Sequence, residues 1–233
     1  MWFNSAKMTE KAIQSYRHSL LTSCPNYVVI DGLFNDSMLS QVSHRLQQST
    51  NWQTQQHTYA KLYVDPSQWQ NTCNEERFVQ RDVWLRSPTP IVTGETTTDI
   101  RQAFLNFLRG DEFLSFLSQL FHVVITDINV EDPSINSNYF RLSSDDFIAQ
   151  HADDSPGREV CMLLYLNREW DERAGGELTF LGKDEKNISI SPIFNRCILF
   201  NPSSEGSEHW VKSLNKQYAN HYRYNVTSWY WRE

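Results

Sequence analysis

The sequence predicts an α+β fold in which an N-terminal helical layer supports a β-rich core of the sandwich or jelly-roll kind. Three observations carry this expectation. Helical periodicity is confined to the first half, and from Val123 onward short apolar runs alternate with turn residues. Aromatic residues form 13% of the chain, with eight Trp, ten Tyr and thirteen Phe, a ring mass that favours pleated packing over a helical bundle. A length of 233 residues suits one domain with a substantial core. The chain therefore reads as a single domain, with 1–122 mainly helical support and lid segments and 123–233 the β core.

Residues 8 to 22 form the first expected helix, with Ala12, Ile13, Tyr16, Leu20 and Leu21 on one side. Tyr27 to Phe34 is a short buried strand running into a turn. Asn35 or Asp36 then caps a helix to about Gln48, with Met38, Leu39, Val42 and Leu46 inward. Between 51 and 97 the pattern is weak, with strand-like fragments at Lys61 to Val64 and Phe78 to Leu85 among polar loops. Asp99 opens a helix carrying Ile100, Phe104, Phe107 and Leu108, closed by Gly110, and a second helix follows over 111 to 122. The expected strands are then Val124–Val130, Asn138–Leu142, Phe147–His151, Glu159–Leu166, Glu177–Phe180, Ile188–Ser191, Arg196–Phe200, His209–Val211 and Tyr222–Trp231.

Composition narrows the partners. A net charge of −7 with a pI near 5.5 argues against a nucleic-acid partner, whose phosphates call for a basic face. No run approaches the roughly 20 apolar residues of a membrane span. Met1 to Leu21 lacks the apolar core and small-residue cleavage site of a secretory leader. Cys24, Cys73, Cys161 and Cys197 form no short-spaced pair, and free thiols in a cytoplasmic setting are expected.

The chemistry centres on His151-Ala152-Asp153, answered downstream by His209 and Arg223. Side chains at i and i+2 of a strand leave the same face, so one imidazole and one carboxylate can grip a single ion. A second imidazole from a distant strand completes a 2-His-1-carboxylate triad, the ligand set of non-haem Fe(II) with open positions. The neighbouring Asp154 is the rival carboxylate, although alternation points it away from His151. Arg223 supplies a planar cation suited to a carboxylate. His18, His44, His57, His122 and His221 lack such a partner and are expected in surface or core roles.

The blocks Tyr139-Phe140-Arg141-Leu142, His151-Ala152-Asp153-Asp154, Arg158, Leu164-Tyr165-Leu166-Asn167, Gly175-Gly176-Glu177-Leu178, Pro192 to Phe200, His209-Trp210-Val211 and Arg223 to Thr227 stand in an order that is specific. Over Tyr139 to Trp231 the chain resembles the catalytic core of the prolyl-4-hydroxylase-like Fe(II)/2-oxoglutarate dioxygenases. The run Tyr165 to Asp171 is especially similar to the hypoxia-factor and ribosomal-protein prolyl hydroxylases. The resemblance implies a double-stranded β-helix, a jelly-roll variant; residues 1 to 137 resemble the family's helical support layer only loosely. It implies Fe(II) held by His151, Asp153 and His209, with 2-oxoglutarate and O2 as cosubstrates and ascorbate as a supporting reductant. It also implies that Arg223 and Tyr165 bind the distal carboxylate of 2-oxoglutarate, with Tyr139 near its metal end. Lys212 to His221 reads as an insertion, so Lys212 or Lys216 could take Arg223's place. Gly175-Gly176 is read as a structural turn, with Glu177 near the rim.

The resemblance implies hydroxylation of an unactivated C–H bond with release of succinate and CO2. A peptidyl proline is the expected target, with a protein or peptide as partner, and residues 55 to 97 would lay Trp69 or Trp84 on the proline ring or else bury both. A free amino acid or other small molecule is the alternative substrate. A nucleic-acid demethylase is a further reading, since Arg223-x-Asn225-x-Thr227 nearly completes that signature, but Trp229 replaces its last Arg. A non-enzymatic cupin-type barrel is the reading from another class, though it would have no need of Arg223.

Overall fold

The computed structural model describes residues 1–86, 99–126, 133–218 and 221–232. Its elements run α1 (Glu10–Thr22), β1 (Tyr27–Asp31), α2 (Asp36–Gln47), β2 (Trp52–Thr58), α3 (Pro66–Asn71), β3 (Arg77–Trp84), α4 (Ile100–Leu108) and α5 (Asp111–Phe121). There follow β4 (Ile125–Thr126), β5 (Ser137–Leu142), β6 (Phe147–His151), β7 (Arg158–Tyr165), β8 (Leu178–Phe180), β9 (Ile188–Ile190), β10 (Arg196–Phe200), β11 (His209–Val211) and β12 (Arg223–Arg232). Side-chain caps start the helices where orphan N–H groups need acceptors: Thr9 accepts from Ala12, Asn35 from Met38 and Asp99 from Arg101.

All strands pair antiparallel in one curled sheet of order β1-β10-β7-β12-β5-β3-β6-β11-β8-β9, with β2 on β3 and β4 on β12. This is the double-stranded β-helix architecture that the sequence implied. Strand alternation sorts each side chain to one of two faces. On β7, Val160, Met162 and Leu164 face the helices, while Cys161, Leu163 and Tyr165 face the interior of the curl. On β12, Tyr224, Val226 and Tyr230 face the helices, and Arg223, Asn225, Thr227 and Trp229 take the other side. Both faces of β7 are covered, which is why its sequence is a continuous apolar run.

The helical layer is fastened by rings. Phe3, Phe34, Phe104 and Phe113 pack together on the outer face of the sheet with centroids 5.2 to 6.0 Å apart. Each is buried, and each such burial is worth roughly 1.5–3 kcal/mol before entropy.

Four expectations are corrected. Helices do not simply precede strands: β1, β2 and β3 lie in the first half and are built into the sheet. Lys61 to Val64 is a bend rather than a strand, whereas Trp52–Thr58, unrecognised because it is nearly all polar, is one. Leu21 is exposed, beyond the stripe of α1 that Ile13 and Leu20 bury. The expected strand Val124–Val130 is reduced to Ile125–Thr126 in the described part, and residues 127–130 of it lie outside the described residues.

Candidate active site

β6, β11 and the turn after β6 converge at the interior face. β11 pairs with β6 so that His209 stands opposite His151 and Val211 opposite Ile148. Two steps on β11 thus match three on β6, a bulge of one extra residue. The bulge matters for facing. Ile148 packs inward with Val211 and Leu142, and the extra residue brings His151 back to that same side.

Asp153 arrives differently from the expectation. β6 ends at His151, so Asp153 belongs to the following turn and not to a regular i, i+2 strand pair. Its place is set by partners instead. The indole Nε1 of Trp229 donates to Oδ2 at 2.9 Å, and Arg158 donates to the Asp153 carbonyl. Asp154 is exposed and accepts from the Ser203 hydroxyl, so it is not the converging carboxylate.

His151 Nε2 and His209 Nε2 each lie 3.8 Å from an Asp153 oxygen, and the donor atoms of the three residues all fall within 4.8 Å of one another. Both imidazoles are oriented in the same way. Nδ1 of His151 donates to the Ala149 carbonyl at 2.9 Å, and Nδ1 of His209 to the Ser207 carbonyl at 3.0 Å, leaving each Nε2 lone pair directed at the cluster. Burial, then His151, pushes the His209 pKa down to about 4, against the pull of Asp153. Burial opposes the charge on Asp153, but His209, His151, Trp229 and Arg158 together hold its carboxyl below the ordinary value. A neutral His209 and an ionised Asp153 are the protonation states a cation needs of them.

Further along the interior face sits Arg223, 1% exposed on β12. Its Nε donates to the Gly176 carbonyl at 2.7 Å and its Nη1 to Asn225 at 2.9 Å. Its Nη2 is buried without a partner, and so is the hydroxyl of Tyr165, whose ring centroid lies 4.8 Å from the guanidinium carbon. Two orphaned donors side by side in a dry corner are costly unless an acceptor joins them. A ligand carboxylate fits that need.

The rivals fall elsewhere. Lys212 and Lys216 are exposed, and Lys212 pairs with Glu177 at 3.4 Å. Glu177 itself is largely covered but stands outside the triad. Tyr139 is corrected: alternation along β5 turns it to the helical face, where its hydroxyl donates to the Arg101 carbonyl at 2.8 Å. Its neighbour Phe140, paired with Asn225, takes the interior side. Trp84 is buried against Tyr139, and Trp69 is buried between Arg77 and Phe147, so neither offers a ring at the mouth. The exposed rings there are Tyr59 and Tyr63, linked through Phe78 and His57 to His151. Sequence reasoning passed over Arg81, Trp229 and His57, because nothing local marks which face of a polar strand turns inward.

Comparison with known proteins now adds to the geometry. Residues 137–231 match the 2OG-Fe(II) oxygenase superfamily. The prolyl 3-hydroxylase OGFOD1 of Mus musculus is 27% identical over 133 residues, 54% of this chain, and the match spans only 23% of the mouse protein. Among solved oxygenase structures, a Trichoplax adhaerens prolyl hydroxylase in complex with a hypoxia-inducible-factor peptide superposes with a TM-score of 0.67 at 21% identity, covering 98% of this chain and 92% of that one. A Pseudomonas putida prolyl-4-hydroxylase superposes with a TM-score of 0.60 at 14% identity, covering 95% and 99%. At these identities the superpositions establish a shared fold. No helix among the described residues is long and apolar enough to cross a membrane.

Proposed function

We propose that this chain is an Fe(II)- and 2-oxoglutarate-dependent dioxygenase that hydroxylates a peptidyl proline, with release of succinate and CO2. The observation that carries the reading is the pairing of a largely covered His-Asp-His triad with two unpartnered donors, Arg223 Nη2 and the Tyr165 hydroxyl, on the same interior face. His151, Asp153 and His209 would hold the iron, and Arg223 with Tyr165 would hold the distal carboxylate of 2-oxoglutarate. Bound there, iron, 2-oxoglutarate and O2 supply the oxidising chemistry that attacks an unactivated C–H bond.

The protein's own part is orientation and exclusion. Nδ1 bonds fix both imidazoles, Trp229 and Arg158 fix Asp153, and Gly176 and Asn225 fix the fork of Arg223. Phe180 and Phe200 line His209 with centroids 5.8 and 5.2 Å away and keep that side dry. No side-chain base is needed. A proline in a protein or peptide is supported by the prolyl hydroxylases among the similar proteins and by the exposed rings at the mouth. Ascorbate support and a cytoplasmic setting belong to the same reading, and a nucleic-acid substrate fits poorly with the net charge of −7.

The test is direct. Wild-type protein should bind one Mn(II), release succinate from 2-oxoglutarate and add one oxygen atom to a proline peptide by mass spectrometry. His209→Ala should lose the metal while its circular dichroism stays unchanged. Stoichiometric metal in that variant would sink the assignment. Turnover confined to free amino acids would keep the chemistry and change the substrate.

A further inference from the structure

Arg81 is a half-buried cation that the proposed chemistry does not use. On β3, Val83 pairs with Phe140 and Val79 with Ile148, both interior residues, so Arg81 between them shares that face. Its guanidinium carbon lies 3.5 Å from the centroid of the Phe140 ring, and it feels the charge of Asp153. Its Nε is buried without a partner. Other Arg residues around the site are committed: Arg141 to Asp82, Arg158 to the backbone and carboxylate of Asp153, and Arg223 to Gly176 and Asn225. A cation held partly out of water with an unpaired donor is expensive. The interior nevertheless keeps one beside the triad, in a chain that is acidic overall.

Position separates the two cations. Arg223 lies at the closed end among Tyr165, Gly176 and Leu214. Arg81 lies on the strand whose Val79 pairs with His57, and His57 packs on Tyr63, which is 65% exposed. We propose that Arg81 anchors a carboxylate of the substrate, so that the preferred substrate is a proline compound bearing a carboxylate near the reacting ring. A single planar fork on an aromatic face suits a planar carboxylate. The carboxylate is either an acidic side chain next to the proline in a peptide or the acid group of free proline itself. The inference rests on the triad and Arg223 assignments above.

The experiment uses the full chain with Mn(II) and 2-oxoglutarate, and calorimetry with two matched pairs of probes. One pair is L-proline and L-prolinamide; the other is a blocked Ala-Pro-Asp-Ala peptide and its Ala-Pro-Asn-Ala counterpart. One acid should bind about 10- to 100-fold more tightly than its amide, as loss of a charge-assisted hydrogen bond implies. The pair that shows it identifies the source of the carboxylate. Arg81→Gln should abolish the preference and leave 2-oxoglutarate affinity unchanged, and Arg81→Lys should retain the preference at reduced size. No acid preference in either pair overturns the proposal. So does a preference that survives Arg81→Gln, or that stays undiminished in Arg81→Lys should the Gln variant fail to fold. If Arg81→Gln weakens 2-oxoglutarate as strongly as Arg223→Leu, Arg81 serves the cosubstrate and the proposal fails. Failure of the metal-centre reading is seen separately, as absence of Mn(II) binding in the wild-type protein.

Discussion

At the scale of single residues, the site depends on groups that hold other groups. Trp229 does not reach the cluster centre, yet its indole N–H is bonded to Asp153 at 2.9 Å. Trp229→Phe should keep the packing, remove that one donor and weaken Mn(II) binding by roughly 10-fold, as outer partners of metal ligands do. An unchanged affinity by titration would show that Arg158 suffices alone. Arg223 and Tyr165 should differ in weight. Arg223→Leu deletes a charge-assisted bond worth about 1.5–3 kcal/mol, and Tyr165→Phe a neutral one worth about 0.5–1.5 kcal/mol, so the first should weaken 2-oxoglutarate much more. Greater sensitivity at Lys212 would contradict the buried geometry of Arg223. The convergence of His151, Asp153 and His209 was legible because rare residue types stood at telling intervals, whereas Tyr165 was singled out only by resemblance. Arg81 and Tyr139 were not legible, since a strand in sequence does not declare which of its faces is wet.

At the scale of elements, the turn before β8 shows how backbone shape sets a side chain. Gly175 and Gly176 both have φ of +79°, a region that L side chains avoid. A Cβ on Gly176 would stand 3.0 Å from Arg223 Cδ and 3.0 Å from the ring of Trp170. Gly176→Ala should therefore cost roughly 1–3 kcal/mol and shift the guanidinium it crowds. A urea midpoint and a 2-oxoglutarate titration should both move; loss of stability with intact affinity would mean that Trp170 yields instead. The later strands were readable because β7, β10 and β12 carry apolar runs or clear alternation. β2, with the sequence Trp-Gln-Thr-Gln-Gln-His-Thr, owes its conformation to pairing with β3, a tertiary cause that no local pattern contains.

At the scale of the whole molecule, an acidic surface encloses an interior with neutral imidazoles. Burial, helped by Arg81 and His151, pushes the His57 pKa down to about 4, and burial, then His151, does the same for His209. Both folded values lie below the unfolded value of about 6.5, so the unfolded chain takes up more protons in the window between. Stability should thus fall as pH drops from about 6.5 toward 4, and this contribution should level off below. His57→Gln should make the pH dependence of the urea midpoint shallower across that window. An identical slope would mean that His57 is solvated and titrates normally. The division into a helical first half and a β second half was only partly right at this scale. Three early strands join the sheet; β1 and most of β3 were expected as strands, and only β2 was hidden by its polar residues.

The extra residue of β6 has a consequence for how such chains are read by eye or by pattern. His-Ala-Asp is a string of letters, but its meaning depends on the phase of the strand that delivers it. Deleting Gln150 would leave His151, Asp153 and His209 in the text, in the same order and with the same His-x-Asp spacing. The imidazole of His151 would then leave from the opposite side of the sheet, and the chain would carry a complete motif with no centre.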